Sequence, residues 1–373
     1  MTTKPRAAAP AARRTKHQGS AVVVGASLAG LMSALALSRA GIRVTLLERA
    51  TSFPRTGAAI GGVSEPLLER LTGRRGPAGP GTGPVTWSAI HTRLRAAVDD
   101  DARITLHHSA RVRGIGQDDE RAWATTDRGD THIADVVIGA DGHRSVVRRV
   151  VAPQHADATF AGYVIWLGLA DEAALTTRHG FPRDVDILYR DDDCLIGYPL
   201  PSPDDSLAPG LRQIGFAWYD ARRNDLLRDA GCVVGDIVHH TLAATDVPEA
   251  TLRELATEAD DLWPHLWRDV IADCIRRRAV LGTPVAEYVP DRLVNGRLAL
   301  VGDAAHVPSP MTGSGFSMSA EDAEAIAEAI AAGVQEQAIT RVLDRYERMR
   351  LTSVRRSVQS GQQFSRSFSS QFA

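Results

Sequence analysis

Through the first 150 residues, short unbroken apolar runs alternate with stretches of helical spacing. Ala21–Val24 is apolar at every position and ends in glycine, the mark of a strand buried on both faces. Behind it, Leu28, Leu31, Leu35 and Ala36 recur at helical spacing until Gly41, a natural helix stop. Ile42–Glu48 then reads as a second strand, Trp87–Val98 as a helix, and Ala134–Gly142 as a further buried strand ending in a polar turn. After residue 152 the pattern changes to alternating, aromatic-rich runs: GYVIWLGL, DILYR, CLIGYPL and RQIGFAWY. These predict strands of a separate, mainly antiparallel sheet. Helical spacing fills residues 235–278, and Arg297–His306 returns to the buried-strand pattern. A last helix is predicted over Ile339–Ser357, with a Ser/Gln-rich tail expected to fray.

The predicted fold is α/β: a Rossmann-like βαβ domain with a second α+β domain on a mainly antiparallel sheet. The expected organisation is an arm over 1–19, a discontinuous first domain over 20–152 and 281–350, a second domain over 153–280, and a helix end and tail over 351–373.

Composition narrows the function. The chain of 373 residues is 44% hydrophobic and 24% charged, with a net charge of −2. That balance argues against nucleic-acid binding, which usually brings a basic excess. No apolar run is long enough for a membrane span. Residues 1–19 are rich in Ala, Pro and Arg without a cleavage-site pattern, so a cytoplasmic protein is expected. Cys194, Cys232 and Cys274 are far apart in sequence and suggest free thiols, with no metal site.

The first chemical signal is the loop Gly25-Ala26-Ser27-Leu28-Ala29-Gly30 between the first strand and helix. It departs from the dinucleotide fingerprint only at Ser27, where a small residue suffices and a hydroxyl can donate to phosphate. Glu48, followed by Arg49, ends the next strand, where a carboxylate can accept from ribose hydroxyls. The second signal lies far downstream in LALVGDAAHVPSPMTGSGF, Leu298–Phe316. There a buried strand delivers Asp303, suited to the hydroxyls of a sugar-alcohol chain. The backbone N–H groups around Gly313, Gly315 and Phe316 suit an anionic ring system.

With these motifs in order, the sequence resembles the FAD-dependent aromatic hydroxylases of the para-hydroxybenzoate hydroxylase type. The glycine loop pairs with Glu48. The family's D-G segment is Asp141-Gly142-His143-Arg144-Ser145-Val146-Val147-Arg148, and its G-D segment is Gly302-Asp303-Ala304-Ala305-His306, running on to Pro310, Gly313 and Gly315. Within the family it looks like the dihydroxypyridine hydroxylase branch, on Val85–Arg95, Phe160–Leu169, Cys194–Pro201 and Ile214–Ala221. Where many members place an arginine or glutamine, this chain has Trp87.

The resemblance implies a glutathione-reductase type FAD-binding domain. FAD would contact Gly25, Ser27, Leu28, Ala29, Gly30, Glu48, Arg49, Asp141, Arg148, Gly302, Asp303, Pro310, Gly313, Gly315 and Phe316. It further implies NAD(P)H as co-substrate, O₂, a flavin C4a-hydroperoxide, and hydroxylation of an electron-rich phenol or hydroxypyridine-like ring. A homodimer is the family's default. The catalytic base is unassigned, with His306 the flavin-proximal candidate. Tyr189, Tyr198 and Trp218 of the aromatic runs are the substrate candidates. Because strand neighbours face opposite sides, only one of Trp218 and Tyr219 can point at a ligand. Glu321 and Asp322 read as acids opening a helix. Two further readings stay open: a flavin dehydrogenase or oxidase without oxygen insertion, and FAD as a non-redox scaffold for an isomerase or cyclase.

Overall fold

The structure is a computed structural model that describes residues 19–51, 59–63, 65–75, 85–177, 180–190, 193–202, 204, 206–331 and 339–370. Residues 1–18 of the expected arm lie outside these. From the N-terminal end, β1 (Ser20–Val24), α1 (Leu28–Arg39) and β2 (Arg43–Leu47) form the expected βαβ unit, with β1 and β2 parallel. Helix α2 (Trp87–Asp99) leads to β3 (Ile104–His107), which extends the parallel sheet beside β2. A three-stranded antiparallel sheet follows: β4 (Val112–Gln117), β5 (Ala122–Thr126) and β6 (Thr131–Ala134). Sequence reading did not anticipate it. β7 (Val136–Gly139), buried throughout, then pairs with β1 on its other side, and α3 (Val146–Val151) follows its polar turn.

The aromatic runs build the second sheet. β8 (Thr159–Asp171), β9 (Asp186–Arg190), β10 (Asp193–Leu200) and β11 (Gln213–Asp220) pair antiparallel in the order β9-β10-β11-β8. Helices α4 (Glu249–Leu262) and α5 (His265–Arg276) cover one face. Helix does not start near residue 235, as expected. Val233–Val234 and Ile237–Val238 pair as a short hairpin instead. β12 (Leu281–Glu287) pairs with β8, so this segment belongs to the second sheet and not to the first domain, where it was expected. Alternation along β8 divides two cores. Val164, Trp166 and Ala170 pack toward α4 and α5, while Tyr163 and Ile165 pack on the opposite face.

The chain then returns to the first sheet with β13 (Leu298–Leu300), parallel to β7. Two helices close the chain, α6 (Gly315–Ala331) and α7 (Ile339–Ser370). The expected fraying tail is helix. Val354, Val358, Gly361, Ser365 and Phe368 recur at helical spacing and are buried. Among the described residues no helix is long and apolar enough to cross a membrane.

Candidate active site

The glycine loop has little steric freedom. Gly25 sits at φ +99, and a Cβ there would lie 2.5 Å from the Ala140 carbonyl oxygen. A Cβ on Gly30 would fall inside the carbonyl of Gly25, because the first turn of α1 packs directly on the loop. Leu31 N–H, bonded to Ser27 O at 3.0 Å, is where the helical ladder begins. The amides of Leu28, Ala29 and Gly30 therefore have no intrahelical acceptor and point along the positive end of the helix. Ser27 is the N-cap residue, yet its hydroxyl makes no capping bond. Such a turn could cradle a diphosphate.

Glu48 is buried against the same loop. Its carboxylate accepts from Ala26 N–H and Ala50 N–H, each at 2.8 Å. Arg49 beside it is exposed, and its charge is among those facing His143. The loop also meets the distant G-D segment. Gly302 stands at φ +57, and a Cβ on it would lie 2.5 Å from Ala29 Cβ. Both motifs therefore need small residues where they touch.

The D-G segment is an internal brace. Asp141 accepts from Ser145 Oγ and, at 2.7 Å, from Val146 N–H, capping α3, and burial pushes its carboxyl above the usual range. Arg148 is fully buried. Nε donates to Ala156 O at 2.6 Å, Nη1 to the carbonyls of Asp303 and Ala304 at 3.1 Å each, and Nη2 to His143 O. Its guanidinium also lies 4.2 Å from the centre of the Tyr288 ring. Asp141 and Arg148 were expected to contact the cofactor. Their side chains are consumed by the protein and shape the loops that face the cleft.

Asp303 opens onto a cavity of about 320 Å³. One wall comes from His143 and the loop Val307–Pro310 with Gly313–Gly315; the other comes from His240 and the β12 residues Thr283–Ala286. Surrounding protein pushes the Asp303 carboxyl up, against the pull of His306, His143 and Arg148. His143 Nε2 is buried without a hydrogen-bond partner among the described residues, and burial lowers that imidazole below its usual value. Pro310 opens a 3₁₀ turn that ends at Gly313, φ +59, and Gly315 starts α6. Met318 N–H bonds back to Ser314 O at 2.9 Å, so the amides of Gly315, Phe316 and Ser317 lack intrahelical acceptors. The Phe316 ring packs in the core, which leaves only its amide for a ligand.

Other candidates fall elsewhere. His306 does not line the cavity. It is fully buried, with Nε2 2.7 Å from Asp322 Oδ2. Trp218 points into the helix-covered core, donating from its indole to Asp193 Oδ1 at 2.9 Å and meeting Trp263 edge-on. Its neighbour Tyr219 takes the opposite face and stacks on Tyr163, with ring centres 5.8 Å apart. Tyr189, 65% exposed, lies on the sheet's outer strand β9, and Tyr198 is buried over Gly215. None of the three lines the cavity described above. Sequence reading missed Val285 and His240, which have no motif around them.

These parts fit FAD: a diphosphate cradle, a carboxylate at the end of β2, a second carboxylate at the end of β13, and a helix N-terminus bordering a cavity. Fold and site are similar to those of the FAD-dependent aromatic hydroxylases, and the relatives that this chain matches are named monooxygenases and hydroxylases, which supports a flavoprotein hydroxylase. A family model described as "FAD binding domain" matches residues 19–65 and 253–361. The chain is 29% identical over 343 residues to 2,6-dihydroxypyridine 3-monooxygenase of Paenarthrobacter nicotinovorans, covering 82% of this chain and 81% of that one. It is 26% identical over 375 residues to hispidin-3-hydroxylase of Neonothopanus nambi, covering 89% and 85%. The solved 2,6-dihydroxypyridine-3-hydroxylase from Arthrobacter nicotinovorans superimposes with a TM-score of 0.77 at 24% identity, over 96% of this chain and 95% of that one. The resemblance to the dihydroxypyridine branch thus holds in both sequence and fold.

Proposed function

We propose that this protein is an NAD(P)H-using monooxygenase that hydroxylates an electron-rich aromatic or heteroaromatic ring of the phenol or hydroxypyridine class, with O₂ as oxygen source. The observation that carries this reading is the cavity between the Asp303–Gly315 loop and the second sheet. Ring-sized ligands and a flavin edge would meet there.

FAD, when bound, would supply the redox chemistry that couples NAD(P)H oxidation to O₂ activation, with one oxygen atom ending in the product and the other in water. The chain's own work is placement. Ser27 and the first-turn amides of α1 hold the diphosphate, Glu48 accepts from ribose hydroxyls, and Asp303 accepts from the sugar-alcohol chain. The Gly315–Ser317 amides offer positive potential to the electron-rich edge of the flavin ring, while Gly313 N–H donates to Pro310 O. Val238, Pro284, Val285 and Val307 give the cavity apolar walls that limit water. Several relatives support the aromatic substrate class by name: the dihydroxypyridine and hispidin hydroxylases, and the 3-hydroxybenzoate 6-hydroxylase of Klebsiella oxytoca. We place the FAD-binding unit over 20–152 and from about 288 onward, with the substrate unit between.

The test is NADH or NADPH consumption by the FAD-loaded protein with 2,6-dihydroxypyridine and a panel of phenols, with product masses measured under ¹⁸O₂. Gain of one labelled oxygen atom is expected. Turnover without oxygen gain would mark a dehydrogenase or oxidase, and turnover without NAD(P)H or redox change would mark a scaffold role for FAD.

A further inference from the structure

Asp322, read from the sequence as one of two helix-opening acids, lies well inside α6 and is fully buried. Its Oδ2 accepts from Gly302 N–H at 2.9 Å and stands 2.7 Å from His306 Nε2. Its Oδ1 accepts from Arg350 Nε at 2.8 Å. The other guanidinium nitrogens of Arg350 donate to Glu321 at 2.6 Å and to the Met318 carbonyl at 3.2 Å. Burial alone would raise the Asp322 carboxyl, but His306 and Arg350 hold it below the usual carboxylate range.

Such a buried charge is costly unless its partners are well placed, and it contributes little net stability compared with apolar packing. Its geometry has a different consequence. The acceptor Oδ2 engages the amide of Gly302, the residue at φ +57 that directly precedes Asp303. From the other side, Arg148 holds the carbonyls of Asp303 and Ala304. The short segment that presents the Asp303 carboxylate to the cavity is therefore gripped on both sides.

We propose that Asp322 is a positioning residue for the cofactor. By holding Gly302 N–H and His306 it fixes the direction of Asp303, and Arg350, on the last helix, balances its charge. This rests on the reading that the Asp303 loop holds FAD.

Two double variants separate the acceptor from the charge. Asp322→Asn with Arg350→Gln keeps an oxygen for Gly302 and His306 and replaces the ion pair by an amide pair. Asp322→Ala with Arg350→Gln removes both acceptor and ion pair. Flavin-free protein is titrated with FAD and Kd read from flavin fluorescence, at a temperature where thermal unfolding shows each variant folded. The asparagine variant should bind FAD within about threefold of wild type. The alanine variant should bind about tenfold or more weakly, the loss expected for a charge-assisted hydrogen bond. Where the alanine variant does not fold, Asp322→Ser with Arg350→Gln replaces it, since serine is too short to reach Gly302. Equal Kd values for the acceptor-keeping and acceptor-lacking variants overturn the proposal, whether both are tight or both weak. A wild-type chain that takes up no FAD overturns the functional reading itself, before any variant is compared.

Discussion

The Arg148 side chain donates from Nη1 to the backbone carbonyls of both Asp303 and Ala304, at 3.1 Å each. It thereby ties the turn after β7 to the turn after β13, two neighbouring parallel strands, through residues 155 positions apart in the chain. The cleft lies beyond the C-terminal ends of these strands, where open α/β sheets bind their ligands. Two sequence motifs that look like separate ligand contacts are thus one mechanical unit, with Arg148 inside it and Asp303 facing out.

Replacing Arg148 tests that unit. Methionine fills similar volume but leaves the carbonyls of His143, Ala156, Asp303 and Ala304 without their donor. Lysine keeps the charge and loses the planar fork. Both should weaken FAD binding, methionine by about tenfold or more, with lysine intermediate. Thermal unfolding of the flavin-free methionine variant should show a loss of about 2–5 kcal/mol, as for breaking a buried hydrogen-bonded charge. FAD affinity unchanged in Arg148→Met would mean that the Asp303 turn holds its shape unaided.

Within the glycine loop, the two glycines and the serine should behave oppositely. Gly25→Val and Gly30→Ala insert atoms into backbone that has no room for them, so purified protein should carry no FAD absorbance. Ser27→Gly removes one hydroxyl donor, which makes no capping bond, and leaves the first-turn amides of α1 in place, so FAD should remain bound. Flavin content after gel filtration decides this. Retained flavin in Gly25→Val would put the diphosphate elsewhere.

What the sequence disclosed follows from how local each signal was. The loop 25–30, Glu48 and Asp303 each depend on a strand end and the turn beyond it, so spacing along the chain was enough. The antiparallel strands β4–β6 are short, partly exposed and interrupted by glycines at 114 and 116, which blurs their alternation. The end of α7 was hidden for a different reason. Its buried stripe uses Gly361 and Ser365 beside Phe368, small polar residues where a hydrophobic repeat would be expected. They fit because that stretch packs on the Ser309–Thr312 turn and on Tyr163. For Trp218 the sequence left open the choice of face. Both Trp218 and Tyr219 are aromatic, and only the pairing register sends Trp218 toward α4 and α5.

Trp218→Phe should accordingly behave as a core substitution. It removes the bond to Asp193 and some packing volume, and should cost about 1–3 kcal/mol in stability. Once a substrate is in hand, its KM should stay within about twofold of wild type, since the residue contributes nothing to the cavity. A large rise in KM without loss of stability would return Trp218 to the substrate site.

Glu287 gives a pH test of the join between the second sheet and α7. Burial raises its carboxyl above the usual value, although Ser365 and Gln362 hydrogen-bond to it and Arg366 attracts it. Ser365 also meets the Tyr163 hydroxyl at 3.2 Å, and that hydroxyl reaches Ser309 Oγ at 3.1 Å. A carboxyl that ionises at higher pH when folded than when unfolded binds more protons in the folded state. Its contribution to stability is therefore full below the unfolded value and declines as pH rises toward the folded one. Glu287→Gln keeps an oxygen to accept from Ser365 and cannot ionise. Its melting temperature relative to wild type should rise across the window between those two values and level off above it. Thermal melts from pH 4 to pH 8 measure the difference directly. A difference that stays flat, or that falls with pH, would mean that the ionised carboxylate is the form this buried chain of hydroxyls was built around.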